Sequence, residues 1–404
     1  MTNSYHRLID EINAALNKRA ASYPLRDQSY ANLVEIIEQL SSFLLENTRF
    51  DEFAPQFGLP DDVYSLNALY SFSAHPIFIC GSMKSGTSLL TQLLDGHPAL
   101  FVMPSDSHYA NQKGKWQREE FSEIARYWLN RMINPSGKEP FWFLGPERAK
   151  LESFLQILRY LLRNTCLDVF VCVMLASCSV SKDVNELPRL QYWVEKTPGN
   201  ESAALDLANQ YPRAKFIHIL RDPLENIASL KKLAALRKNP FYAVNYAVAL
   251  KRSFHLATEN QRVLGESRYM VVRYEDLVSL PRQIMEDITR FLGIAYNESL
   301  LTPTENDRLA GSNSMFADRR VTGQIVNQSH DDRYKLILDQ RELREIVTIL
   351  YDDAVKRGYP WQSKNIVGYR KGWIYHLFLQ GYRVWNATRI RFLGAMRFIA
   401  HRKH

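Results

Sequence analysis

Cysteine is scarce in this chain, with four among 404 residues. That number and spacing exclude a disulfide framework and a zinc ribbon. Cys166, Cys172 and Cys178 recur every six residues among Val, Phe, Leu and Met, and are expected as reduced core thiols. Long apolar runs are also missing. The richest stretch, Leu167 to Val180, is too short to span a bilayer and carries Asp168. The N-terminal segment has no apolar core of a secretory signal, so the expected compartment is cytoplasmic. Internal repeats and low-complexity tracts are absent. Acidic residues are the minority charge: 43 Asp and Glu against 51 Lys and Arg leave a net +8. Such a balance favours anionic partners, whether nucleotide, acidic glycan, nucleic acid or lipid surface. What is present in quantity is core material, 46% hydrophobic and 12% aromatic, enough for two domains or one large domain with extensions.

Residues 1–70 read as polar amphipathic helices. Leu8, Ile12, Ala15 and Leu16 share one face, as do Leu33, Ile36, Ile37, Leu40 and Leu44. From Pro76 onward short apolar runs alternate with helical patterns. Strands are expected at Ile77–Cys80, Leu100–Met103, Tyr192–Glu195, Phe216–Leu220 and Tyr269–Arg273, with one long helical stretch over 121–178. Near-continuous apolar strands with helical crossovers indicate a parallel sheet covered on both faces. Ligands of such sheets bind at the carboxyl ends of the strands. Residues 302–333 read as a long polar loop and Arg341–Lys356 as a helix.

After the first strand runs Gly81-Ser82-Met83-Lys84-Ser85-Gly86-Thr87-Ser88, followed directly by the helical Leu89–Leu94. Strand, glycine-bounded loop and helix make an anion cradle, because backbone N–H groups and the positive helix end converge on a phosphate. A nucleotide triphosphatase carries Lys after the second Gly and then Ser or Thr for magnesium. Here Thr87 takes that slot and the lysine lies inside the loop as Lys84. The cradle is kept and the terminal-phosphate apparatus altered. After the fourth strand, where a magnesium-binding Asp would stand, comes Arg221, a permanent fork of donors suited to phosphate. Ser229 follows eight residues on, two turns into the next helix.

At these residues the chain resembles the sulfotransferases that use 3′-phosphoadenosine 5′-phosphosulfate (PAPS). Lys84 to Ser88 is similar to that family's 5′-phosphosulfate loop, and Arg221 with Ser229 to the pair that holds the 3′-phosphate. The likeness is to the tyrosylprotein and bacterial branch. It is carried further by Leu94-Asp95-Gly96-His97-Pro98, Glu195-Lys196-Thr197-Pro198, Arg273-Tyr274-Glu275-Asp276-Leu277 and Arg320-Val321-Thr322-Gly323-Gln324-Ile325, in that order. The late glycine- and lysine-bearing segment of the cytosolic branch is absent. The resemblance implies an α/β three-layer, P-loop-like sulfotransferase fold with a central parallel sheet. A helical extension (1–70), a PAPS-dependent domain (71–362) and a basic aromatic amphipathic tail (363–404) are expected.

The implied reaction passes a sulfuryl group from PAPS to an acceptor hydroxyl, with no metal required. Charge in its transition state spreads over sulfuryl and bridging oxygens, so fixed cations and N–H groups carry the catalysis. Lys84 is expected at the leaving oxygen and Lys196 at the sulfuryl oxygens or the leaving group, against a structural salt bridge as the plainer role for Lys196. Ser85, Gly86, Thr87 and Ser88 hold the 5′-phosphate. Tyr274, Thr322, Gly323 and Gln324 are expected to close over the nucleotide, with a simple core tyrosine as the plainer role for Tyr274. The base is expected after the second strand, at Asp106, where the related branch has glutamate, with His108 as its rival. The acceptor is expected to be a glycan or lipid-linked alcohol, and nucleic acid is not an expected partner. Aromatics Tyr109, Trp116, Trp128, Phe141, Trp142 and Phe143 stack on sugar, line a lipid groove, or are core. In the tail, Phe378, Tyr382, Trp385, Phe392, Met396 and Ile399 face one way and Arg383, Arg391, Arg397 and Arg402 the other. This fits a helix docked on the protein itself or on a second subunit, or one held at an anionic membrane. The competing readings are a P-loop kinase or NTPase, which the loop alone would favour, and a non-catalytic basic membrane-binding protein.

Overall fold

The computed structural model describes residues 2–22, 28–50, 70–103, 106–112, 116–133, 142–182, 186–311, 322–326 and 332–361. The tail, 363–404, and Phe141 lie outside the described residues. The chain divides into two compact units, Met1–Leu338 and Asp339–His404. In the second unit the described helix is Gln340–Lys356, opened by a capping box in which Asp339 and Glu342 satisfy each other's backbone N–H groups.

The first unit is built on a five-stranded, all-parallel sheet of β1 (Pro76–Cys80), β2 (Leu100–Val102), β3 (Tyr192–Lys196), β4 (Lys215–Leu220) and β5 (Tyr269–Arg273). Its order is β2-β3-β1-β4-β5. Each strand lies within one residue of its expected bounds. The central strand is buried along its whole length, and its side chains alternate between two cores. Phe78 and Cys80 join Phe101, Trp193, Phe216 and Tyr269 on one face, where the helices Arg148–Asn164 and Val169–Ser181 also pack. Ile77 and Ile79 join Leu100, Val194, Ile217 and Ile219 on the other, under the helices Thr87–Asp95 and Pro281–Leu292. The α/β architecture with helices on both faces of a parallel sheet is therefore as expected.

The N-terminal helices Thr2–Ser22 and Gln28–Asn47 send Leu8, Ile12, Leu16, Leu33, Ile37, Leu40 and Leu44 into the first of these cores. Three local expectations are corrected. The stretch 121–178 is three helices, Phe121–Met132, Arg148–Asn164 and Val169–Ser181, and Asp168 starts the last by accepting the Phe170 N–H at 2.8 Å. Cys166 is exposed in the connection before Asp168, whereas Cys172 and Cys178 are buried. Within 302–333 a small antiparallel hairpin forms, β6 (Thr304–Glu305) and β7 (Arg308–Leu309), turning through Asn306 and Asp307 with φ of 50° and 61°.

Candidate active site

Lys84, Asp106, Lys196, Arg221 and Tyr274 stand at or within four residues of the carboxyl ends of β1, β2, β3, β4 and β5. The loop after β1 is held from beneath and from both sides. Glu201, buried, accepts the Gly81 N–H at 3.0 Å and the Ser253 hydroxyl at 2.6 Å. The Gly199 N–H reaches the Gly81 carbonyl at 3.1 Å. From the β4 side, Asn226 Nδ2 donates to the Met83 carbonyl and Arg221 Nη1 to the Lys84 carbonyl, each at 3.2 Å. Lys84 itself sits at φ 67°, a left-handed conformation that a non-glycine residue holds only when its surroundings enforce it. Gly86, at φ 108°, leads into the loop helix Thr87–Asp95, and a Cβ there would stand 2.4 Å from the Tyr274 ring. A Cβ on Gly81 would stand 2.6 Å from the Ile219 carbonyl oxygen. The backbone is thus as close-fitting as a phosphate cradle must be. Ser85 Oγ and Asn226 Oδ1 are buried there with no hydrogen-bond partner among the described residues.

Arg221 follows β4, its guanidinium centred 4.6 Å from the Tyr274 ring centroid. One of its five donors goes to the Lys84 carbonyl, so the arginine, the loop and Tyr274 form one wall. Asp222 caps the helix Pro223–Leu236 by accepting the Leu224 N–H at 2.9 Å. Ser229, buried, lies two turns along it. Glu275 accepts the Asp222 N–H at 2.9 Å, and burial pushes its carboxyl up to about 7.

On the other side of β1, the segment after β2 meets the end of β3. Lys196 Nζ hydrogen-bonds Asp106 Oδ1. The salt bridge named as the plainer role for Lys196 is therefore present, and its partner is the residue expected as base. Burial works against the Asp106 charge, but Lys196, with His108 and Arg131, outweighs it and holds the carboxyl below its ordinary value. His108, exposed, has φ 57° and donates its backbone N–H to Thr197 Oγ1 at 2.9 Å. Partial desolvation of its ring, with the nearby Arg131 charge, lowers its pKa below the ordinary imidazole value.

Ser88 and Lys196 open onto one cleft, lined also by Gln92, Met103, Phe143 and Glu305. Glu305 accepts from Gln92 Nε2 at 3.1 Å, so β6 forms one rim. Thr322 pairs with Gly311, and the Gly323 N–H donates to the Ala310 carbonyl at 2.9 Å, which places 322–324 against the hairpin segment. Tyr109, Trp128, Trp142 and Phe143 are buried core, and Trp116 is half-buried. Sequence reasoning missed Glu195, Glu201, Asn200 and Asn226. The available signal was a carboxylate inside the apolar strand Tyr192–Lys196, which demands buried donors. Among the described residues no His, Cys, Asp and Glu side chains cluster as a metal site.

The sulfotransferase family profile matches residues 76–298, more than half of the chain and all five strands of the sheet. Protein-tyrosine sulfotransferase 2 of Gallus gallus is 24% identical over 260 residues, covering 64% of this chain and 61% of that protein. Protein-tyrosine sulfotransferase 1 of Danio rerio is 26% identical over 266 residues, covering 64% of each. The chain thus spans less than two thirds of these relatives' length. Among solved structures, the sulfotransferase domain of the curacin biosynthetic pathway is 19% identical, covering 70% of this chain and 97% of that one at TM-score 0.43. A mouse sulfotransferase complexed with PAP is 14% identical, covering 72% and 91% at TM-score 0.37. Because the family profile covers more than half of the chain, the chain belongs to the sulfotransferase family.

Proposed function

We propose that this protein transfers the sulfuryl group of PAPS to an alcohol of a glycan or glycolipid. The observation that carries the reading is Lys84 inside a cradle whose far wall is Arg221 rather than a magnesium-binding carboxylate. PAPS supplies an activated sulfuryl group whose leaving bisphosphate takes up negative charge. Ser85, Gly86, Thr87 and Ser88 hold the 5′-phosphate, and Arg221 with Ser229 reads the 3′-phosphate. Lys84 and Lys196 bring fixed positive charge to the leaving and sulfuryl oxygens. Tyr274 shields the nucleotide, joined by Thr322, Gly323 and Gln324. These cations make a divalent metal unnecessary, so a chelator is expected to leave activity intact.

The acceptor enters by the cleft at Ser88 and Lys196. Its rim carries the neutral amide of Gln92 and the carboxylate of Glu305, against an apolar floor of Met103 and Phe143. A polyhydroxylated, uncharged ring suits that lining better than an acidic peptide, which Glu305 repels. Asp106 takes the acceptor proton once Lys196 engages the sulfuryl group. A second reading gives this role to His108, because Lys196 makes Asp106 a weaker base while the lowered pKa of His108 favours its neutral form.

Radiolabelled PAPS, incubated with separate glycan, lipid and protein extracts, tests both points. Label is expected in glycan or glycolipid, and label in tyrosine of protein alone contradicts the acceptor reading. Asp106→Asn is expected to abolish transfer while His108→Gln leaves most of it, and the reverse pattern selects His108.

A further inference from the structure

Glu195, in the motif Glu195-Lys196-Thr197-Pro198, has no use in the reaction above, and it is fully buried beneath the reacting groups. Burial raises its carboxyl above the ordinary value, so the fold bears a cost to keep an acid there. We propose that Glu195 is a positioning residue, a clamp that orients two hydroxyls so that they fix the backbone bearing the base. It rests on the sulfuryl-transfer reading and deepens it.

The geometry is specific. Oε1 accepts the Ser107 hydroxyl and, at 2.7 Å, the Thr197 hydroxyl, while Oε2 accepts Asn200 Nδ2 at 2.7 Å. A hydroxyl has one proton to give and lone pairs to receive. With both protons committed to Glu195, the lone pairs turn outward. Thr197 Oγ1 receives the His108 N–H at 2.9 Å and Ser107 Oγ the Tyr109 N–H at 3.0 Å. The segment with Asp106 and His108 is thereby tied to the end of β3, where Lys196 stands. The tie also supports the left-handed backbone of His108. An acceptor at all three contacts is what the arrangement needs, and a carboxylate supplies it. A glutamine with its oxygen toward the hydroxyls sets its NH₂ against Asn200 Nδ2, which is also committed to the Ile79 carbonyl at 3.2 Å. Turned the other way, it donates to the hydroxyls and reverses their polarity.

The test uses the full chain and the variants Glu195→Gln, Thr197→Val and Thr197→Ser. Three quantities are read: label transfer from PAPS to the combined extracts, affinity for 3′,5′-adenosine bisphosphate, and hydrogen exchange at the His108 and Tyr109 amides. Glu195→Gln and Thr197→Val should lower turnover by about thirtyfold or more, since small misplacements of reacting groups carry losses of that order. Nucleotide affinity should stay within about twofold, and Thr197→Ser should restore turnover, because the hydroxyl is what matters. The His108 amide should exchange faster in both damaging variants. The double variant should be no worse than the poorer single one, as for groups in one chain of contacts. Near-normal turnover in Glu195→Gln, or parallel loss of nucleotide affinity and turnover, overturns the clamp. Should the wild type neither bind the bisphosphate nor transfer label, the sulfuryl-transfer reading fails. Exchange at the two amides then decides the clamp alone, unchanged protection in Glu195→Gln refuting it.

Discussion

Lys84 and His108 hold left-handed backbone conformations without being glycine, and both stand at strand ends facing the proposed reaction. Such conformations cost on the order of 1–3 kcal/mol and persist where neighbours over-determine them. For Lys84 the neighbours are Arg221 and Asn226, which grip the carbonyls of residues 84 and 83. Lys84→Ala removes a cation needed chiefly in the transition state. Turnover should fall by about a hundredfold or more, with a smaller loss of nucleotide affinity. Steady-state kinetics beside calorimetry checks this, and near wild-type turnover would remove Lys84 from the mechanism. At this scale the sequence was legible wherever one residue's chemistry sufficed. Lys84 in the wrong slot for a triphosphatase and Arg221 in place of aspartate are readable from spacing alone. The Lys196–Asp106 pair was not, because its partners lie 90 positions apart and either residue type suits other roles.

At the scale of elements, the five strands were legible because a parallel sheet buried on both faces needs unbroken apolar runs, and Ile77–Cys80 is one. The β6–β7 hairpin was not, since each strand has two residues and the turn uses Asn306-Asp307 rather than asparagine-glycine. The loop before the helix Pro223–Leu236 and the helix Tyr274–Ser279 are joined through Glu275, which accepts the Asp222 N–H. Burial raises its carboxyl from an ordinary 4.5 to about 7. A raised acid favours the fold below the unfolded value, and that contribution is lost as pH rises through the folded value. Stability should therefore decline between pH 4.5 and 7 by this group's share. Glu275→Gln keeps an oxygen for the Asp222 N–H and has no charge to bury. Thermal melting should show the variant gaining on the wild type as pH rises from 5 to 8, with little difference at the acid end. A difference independent of pH would contradict the assignment.

For the whole molecule, the net charge of +8 and the tail 363–404 raise the question of where the enzyme works. The tail's basic residues and aromatics point, as a proposal, to an anionic membrane beside a lipid-linked acceptor. Each basic residue near such a surface is worth about 1 kcal/mol, screened by salt. Full-length protein should sediment with anionic vesicles at low salt and not with neutral ones, and a chain ended at Gln362 should stay in solution while still binding nucleotide. Absence of sedimentation contradicts the membrane proposal and leaves the transfer reaction untouched. What should set this site apart from a triphosphatase is that it reads a 3′-phosphate and needs no metal. Calorimetry of the full chain in chelator, with 3′,5′-adenosine bisphosphate and then adenosine 5′-phosphate, tests it most directly. An arginine–phosphate hydrogen bond contributes about 1.5–3 kcal/mol, so the bisphosphate should bind roughly ten- to a hundredfold more tightly, and Arg221→Ala should erase that preference. Equal affinity for the two nucleotides would rule out a 3′-phosphate site at Arg221, and binding that appears only with magnesium would rule out a metal-free cradle.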